Sequence, residues 1–109
     1  MQQIYDLTSL RASWRTRTDL KISCSGRVPT TGWTEPSLVA RYVQPPPDGI
    51  WEFDFVATPP AGPSLPQLSD VQAETEWAVP FGAEPVALGF RVYSSSNSME
   101  KLFSEISGT

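Results

Sequence analysis

Histidine is absent from the 109 residues, and Cys24 is the sole cysteine. Those two facts remove Ser-His-Asp and Cys-His arrangements, imidazole metal ligands and the usual near-neutral base together. Cys24 falls at an inward position of an alternating stretch, so it reads as a small buried hydrophobe with no activating partner. Glu74 and Glu76 share a strand face at roughly 6.5–7 Å, a spacing a glycosidase could use. Both sit on an outer, solvated face of a chain too short for a deep sugar cleft. Asp48, Asp70 and Glu84 lack the regular spacing of a calcium loop. No glycine loop suited to phosphate and no zinc spacing occurs. The sequence predicts no enzyme, no cofactor and no metal.

Contact chemistry is more visible than catalysis. Pro60-Ala61-Gly62-Pro63 and Pro63-Ser64-Leu65-Pro66 both match P-x-x-P, the form that SH3 domains bind, although no basic residue flanks them. The alternative is a connector that covers a sheet edge. Of the four tryptophans, Trp51 and Trp77 fall on inward faces, as does Trp14. Trp33 lies in a loop, as a plug under it or as an anchor for a partner. As an anchor it would act with Pro29, Thr30, Thr31, Gly32 and Glu35.

The run Pro29-Thr30-Thr31-Gly32-Trp33, directly after an alternating strand, resembles the Pro-Thr-Thr-Gly-aromatic loop of the chagasin-type inhibitors of papain-like cysteine proteases. The resemblance covers five residues and implies an immunoglobulin-like sandwich whose loop 29–33 enters a protease cleft. That family adds a glycine-rich loop and an Arg-Pro-aromatic loop. This chain has no Gly-x-Gly-Gly, has no arginine before a proline, and carries Val28 where the family has asparagine.

A net charge of −4 argues against nucleic acid as a partner. The charge is uneven. Residues 1–41 include Arg11, Arg15, Arg17, Lys21, Arg27 and Arg41, whereas Glu and Asp dominate from residue 42 onward. The simplest expectation is a basic strand beside an acidic one in the same sheet. No apolar run approaches the length of a membrane span. The N-terminus MQQIYDLTSL has neither the basic nor the apolar region of a signal peptide. It predicts a soluble, cytoplasmic protein as the sequence stands, or an exported one if Met1 replaces a removed leader.

The elements that must position these residues are strands. Residues 38–43 and 50–57 read as a hairpin with Val43 opposite Ile50. Leu38, Ala40 and Tyr42 then face Phe55, Phe53 and Trp51, and Arg41 lies opposite Glu52. Residues 71–79 and 86–94 repeat that plan with Val79 opposite Val86 and Glu74 opposite Arg91. Val71, Ala73, Thr75 and Trp77 would face Ser94, Val92, Phe90 and Leu88. Residues 20–28 alternate cleanly, with Leu20, Ile22, Cys24, Gly26 and Val28 inward. A hairpin with the preceding strand would set Trp14 opposite Ile22, Ala12 opposite Cys24 and Arg15 against Lys21. That like-charge contact calls for a flanking acidic strand or for strands that are not neighbours. Before it, Tyr5 and Leu7 share one face, and Leu10, Ala12 and Trp14 another. The parity switch near Ser9, of the kind a bulge or a short break makes, predicts two short strands and not one long one. Residues 58–66, with four prolines, form an extended connection between sheets. Residues 98–106 are the one helix candidate, with Met99, Leu102, Phe103 and Ile106 on one face and Ser98 as cap.

The resulting expectation is a single all-β domain over residues 1–109, a two-sheet antiparallel sandwich of about seven strands. An immunoglobulin-like Greek key leads, with a short C-terminal helix. Its expected role is a non-catalytic binding module for a protein or carbohydrate partner, contacted around Trp33. The other readings are cysteine-protease inhibition through residues 29–33, and a structural subunit that forms a homo-oligomer through an edge strand.

Overall fold

The computed structural model describes residues 1–41 and 44–106. Its strands are β1 (Gln2–Gln3), β2 (Asp6–Trp14), β3 (Asp19–Val28), β4 (Thr34–Ala40), β5 (Ile50–Thr58), β6 (Ser69–Ala78), β7 (Gly89–Tyr93) and β8 (Ser98–Leu102). A 3-10 turn, Phe103–Glu105, follows. Among the described residues no helix is long and apolar enough to cross a membrane.

Two sheets stack. The smaller, in the order β2-β3-β6, is antiparallel throughout. The larger is mixed and centred on β5. Val56 pairs with both Ser37 and Gln3, and Phe53 with both Ala40 and Val92. So β4 holds one side of β5 while β1 and β7 share the other, and β8 lies outside β7. The β5–β7 pair is parallel. That corrects the wholly antiparallel expectation.

Alternation built most of this. In β3 Leu20, Ile22, Cys24, Gly26 and Val28 are all buried, and the residues between them are not. In β5 Trp51, Phe53 and Phe55 face the core, as do Phe90 and Val92 of β7. Trp77 of β6 bridges the two layers. Its ring lies 5.1 Å from Phe53, 5.8 Å from Trp51 and 6.3 Å from Phe90, edge-on or tilted. Aromatic contacts of this geometry add about 0.5–1.5 kcal/mol each beyond the area they bury.

The first hairpin forms in the expected register, with Leu38 opposite Phe55 and Ala40 opposite Phe53. The expected Tyr42–Trp51 and Val43–Ile50 pairs lie outside the described residues. The Arg41 amide donates to the Glu52 carbonyl at 2.8 Å, yet its guanidinium reaches diagonally to Asp54.

The second hairpin does not form. β6 pairs with β3, and β7 pairs with β5 and β8, in the other sheet. Glu74 therefore lies opposite Ser23, and Arg91 lies between Glu52 and Glu100. The ten residues 79–88 cross between sheets instead of turning back, and Leu88 ends 52% exposed rather than inward. Pairing with β3 also satisfies the charges of β6. β6 brings Glu74 to 3.4 Å from Lys21 and Glu76 to 3.2 Å from Arg15. The acidic strand flanks the basic one, as the charge asymmetry implied.

β2 and β3 are neighbours, two residues displaced from the expected register. Trp14 faces Leu20, Ala12 faces Ile22 and Leu10 faces Cys24. Arg15 thereby escapes Lys21 and enters the turn, where its amide donates to the Asp19 carbonyl. The parity switch near Ser9 is a register shift between Leu7 and Ser9 within one strand, not a break. Tyr5 is exposed and Ile4 is buried in its place. The chain changes sheets there. The Ile4 amide donates to Phe55, and the Tyr5 amide to Arg27 of the other sheet.

The helix candidate is a strand plus a 3-10 turn. β7 offers an open edge, Met99 pairs with Val92, and Glu100 reaches Arg91. Ladder pairing outweighs a helical pattern too short to stand alone.

Gly26 is where the crossing presses closest. A Cβ there would lie 2.1 Å from Ile4 Cδ1 and 2.5 Å from the Asp6 carbonyl oxygen. Gly26→Ala is expected to destabilise the fold by about 2–3 kcal/mol, since backbone cannot yield as a side-chain tip can. Thermal unfolding of the purified variant measures this, and an unchanged midpoint would refute the packing argument.

Candidate functional site

The loop from β3 to β4 and the connector from β5 to β6 meet at one end of the sandwich. The Thr31 amide donates to the Leu65 carbonyl at 3.1 Å, and the Leu65 amide donates back to Thr31 Oγ1 at 3.0 Å. Gly32 has φ +87°, and a Cβ on it would touch Pro60 at 3.0 Å. The two contact candidates read separately from the sequence are therefore one surface.

Trp33 is a plug. It is half-buried against the core, and its Nε1 donates to Thr30 Oγ1 at 3.0 Å. Thr30 in turn donates to the Thr31 carbonyl at 3.1 Å. Pro29 and Glu35 are exposed on either side. Glu35 has φ +53° just before Pro36, at the register shift between Thr34 and Ser37. A non-glycine residue held there costs about 1–3 kcal/mol. The residues this end offers to solvent come from the connector. Leu65 is 63% exposed and Leu68 51%, with Pro63 and Pro66 also exposed. The sequence marked Leu65 only as a member of Pro63-Ser64-Leu65-Pro66, and Leu68 not at all. Their meaning depends on the clamp by Thr31, 34 positions away.

The remaining polar groups are largely spent on one another. On the outer face of the larger sheet, Arg91 donates to Glu100 (2.5 Å), to Glu52 (3.1 Å) and to the Tyr93 hydroxyl (2.9 Å), and Tyr93 donates to Glu52. The Tyr93 hydroxyl, then Glu100, hold the Arg91 guanidinium above its ordinary value. Arg41 lies 4.0 Å over the Tyr93 ring and grips Asp54, which also accepts from Gln3 at 2.6 Å. Arg41 foremost, with help from Gln3, holds the Asp54 carboxyl below its usual range. Arg27 does the same to Asp6 through two hydrogen bonds, at 2.7 and 3.1 Å.

The outer face of the smaller sheet carries a trough of about 560 Å³ lined by Ser9, Arg11, Ser23, Ser25, Gln72 and Glu74. Beneath it burial pushes the Cys24 thiol up to about 12, so it is not a thiolate at neutral pH. Glu74 and Glu76 each hold their own cation. Asp48 accepts from the Ile50 amide within its turn, while Asp70 is the second residue of β6 and Glu84 lies in the 79–88 loop. Among the described residues no three acidic, cysteine or histidine side chains gather as metal ligands would. At the end opposite Trp33, Phe81, Leu88, Leu102 and Phe103 line an apolar groove of about 290 Å³.

No family model matches the chain, and neither a curated protein nor a solved structure matches it.

Two outcomes follow from this geometry. Thr31→Val should speed hydrogen exchange at the Leu65 amide and cost about 0.5–1.5 kcal/mol, while Thr31→Ser keeps the protection. Equal protection in all three proteins would mean that the clamp does not hold the connector. Acid is the second probe. The Asp6 and Asp54 carboxyls are depressed in the folded state, so their stabilisation is complete above the ordinary carboxylate value of 3.8. It is lost as pH falls through their lowered native values. The melting temperature should therefore fall below about pH 4, and less steeply in Asp54→Asn. A profile identical in the two proteins would contradict this.

Proposed function

We propose that the chain is a non-catalytic binding module whose partner is another protein, met at the end formed by residues 29–33 and 59–68. The observation that carries this reading is the Thr31–Leu65 clamp. It fixes the backbone of an exposed, proline-rich segment while leaving Leu65 and Leu68 in water. A segment ordered in advance loses less entropy when it docks. An apolar projection flanked by prolines suits a protein surface. A sugar would be better served by an open aromatic platform, and the tryptophan of this end is turned inward.

The immunoglobulin-like Greek key belongs to this reading as its finer form. Two packed sheets with loops gathered at the ends favour it, and the parallel β5–β7 pair counts against it. The inhibitor reading rests on the Pro29–Trp33 motif and needs Trp33 or its neighbours to enter a cleft.

Trp33→Ala is a poor probe, because a half-buried ring that anchors its loop will cost about 1–3 kcal/mol when removed. Leu65→Asp and Leu68→Asp are better. Both positions are exposed, and each change should leave stability within about 0.5 kcal/mol of wild type. Screened on arrays of proteins and glycans, the wild type should be retained by a protein and the two variants should not. Retention that survives both substitutions would overturn the site, and retention on glycans alone would overturn the partner class. Inhibition of papain that survives Leu65→Asp would transfer the function to residues 29–33.

A further inference from the structure

The smaller sheet ends in two edge strands of opposite charge, β2 and β6, neither paired to a further strand among the described residues. Its register sets three outward rows across β2, β3 and β6: Ser9–Ser25–Gln72, Arg11–Ser23–Glu74 and Ser13–Lys21–Glu76. The β2 side is basic and the β6 side acidic. Arg11 is exposed and takes no ion pair or side-chain hydrogen bond among the described residues, whereas the Glu74 side chain is 59% exposed.

Backbone direction on these edges follows from two bonds. The Arg15 amide donates to Asp19, so by antiparallel alternation Arg11 and Ser13 bond toward β3. Leu10 and Ala12 then turn their N–H and C=O groups to the open side. The Val79 amide donates to Thr18, so on β6 the groups facing outward belong to Gln72, Glu74 and Glu76.

The other edges are blunted. β4 carries Pro36 and the register shift, and β8 is five residues long. The Asn97 side chain seals β2 at Leu7, accepting from its amide at 2.8 Å and donating to its carbonyl at 2.9 Å. Residues 9–13 remain open.

We infer that this chain associates with copies of itself head to tail, β2 of one copy pairing in parallel with β6 of the next. Charge selects that combination. Two β2 edges would oppose arginines, and two β6 edges would oppose Asp70, Glu74 and Glu76. Only the unlike edges attract. Since β2 and β6 both run antiparallel to β3, a shifted copy presents its β6 parallel to β2 and level with it. Leu10 then bonds between Gln72 and Glu74 of the next copy, and Ala12 between Glu74 and Glu76. Arg11 stands beside Glu74 of the next copy, polar side out. A pair of copies still has one free β2 edge and one free β6 edge, so growth continues past a dimer. A twist of about 20–25° per strand turns each three-strand copy by roughly 60–75°, giving a helical ribbon.

The loop end around Leu65 takes no part, so this inference stands or falls apart from the proposed function. Sedimentation velocity of the purified chain at low salt should show mass rising with concentration beyond two copies of 12.0 kDa. About 0.5 M salt should return it to monomer by screening the charge contacts. Arg11→Glu and Glu74→Arg, each with the melting temperature of wild type, should weaken association at least about tenfold. An equimolar mixture of the two should assemble, as should the double variant, because each restores unlike edges. A monomer at every concentration, a dimer that grows no further, or single variants that assemble like wild type would overturn the inference.

Discussion

Trp77 is the contact on which the two sheets depend. It stands on β6, in the smaller sheet, and its ring is met by Trp51, Phe53 and Phe90 of the larger one. Phe103 lies 6.0 Å away on the same ring and leads on to Trp14 at 5.5 Å. A sheet with one apolar face cannot stay in water with that face bare. This cluster makes the two faces fit one another at defined angles instead of merely adhering. Everything at the sandwich ends, including the Thr31–Leu65 clamp, hangs from strands whose relative position it sets.

Charge does a second job, within the sheets and across their outer faces. Arg91 is shared between Glu52 and Glu100, Arg41 goes to Asp54, Arg27 to Asp6, and β3 meets its acidic neighbour β6. Exposed pairs contribute little stability singly, about 0–1 kcal/mol. Their larger effect is to bar those registers that would set like charges opposite each other. The same logic applied at the open edges separates attractive from repulsive neighbours between copies.

The legible parts of the fold were those where one short stretch carries its own answer. Residues 20–28 alternate without a fault, and every inward residue is buried. Leu38 and Ala40 find Phe55 and Phe53 because a one-residue slip would turn the rings of β5 outward. Residues 71–79 and 86–94 looked equally persuasive, with the right faces and an Arg–Glu match, and yet they part to different sheets. An apolar face and a charged face say that a strand is half-buried. They do not name the partner, and Glu74 is as well placed beside Lys21 as it would have been beside Arg91. At residues 98–106 a helical spacing of four apolar residues gave way to the open edge of β7. Trp33 was legible as a loop residue, but its inward turn depends on Thr30 and on the core beneath.

What the chain determined unaided is therefore the half-buried strand: its face, the change of face near Ser9, the proline-rich crossing at 58–66, and the absence of any histidine chemistry. These are local properties, set by alternation, by proline and by composition. The tertiary structure alone decided that β5 and β7 run parallel, that β6 belongs to β3, and that the connector is clamped to loop 29–33. Each of those couples residues 34 or more positions apart. Pairing at that range is chosen by which arrangement buries the aromatic faces and opposes unlike charges simultaneously, a comparison no single window of sequence contains.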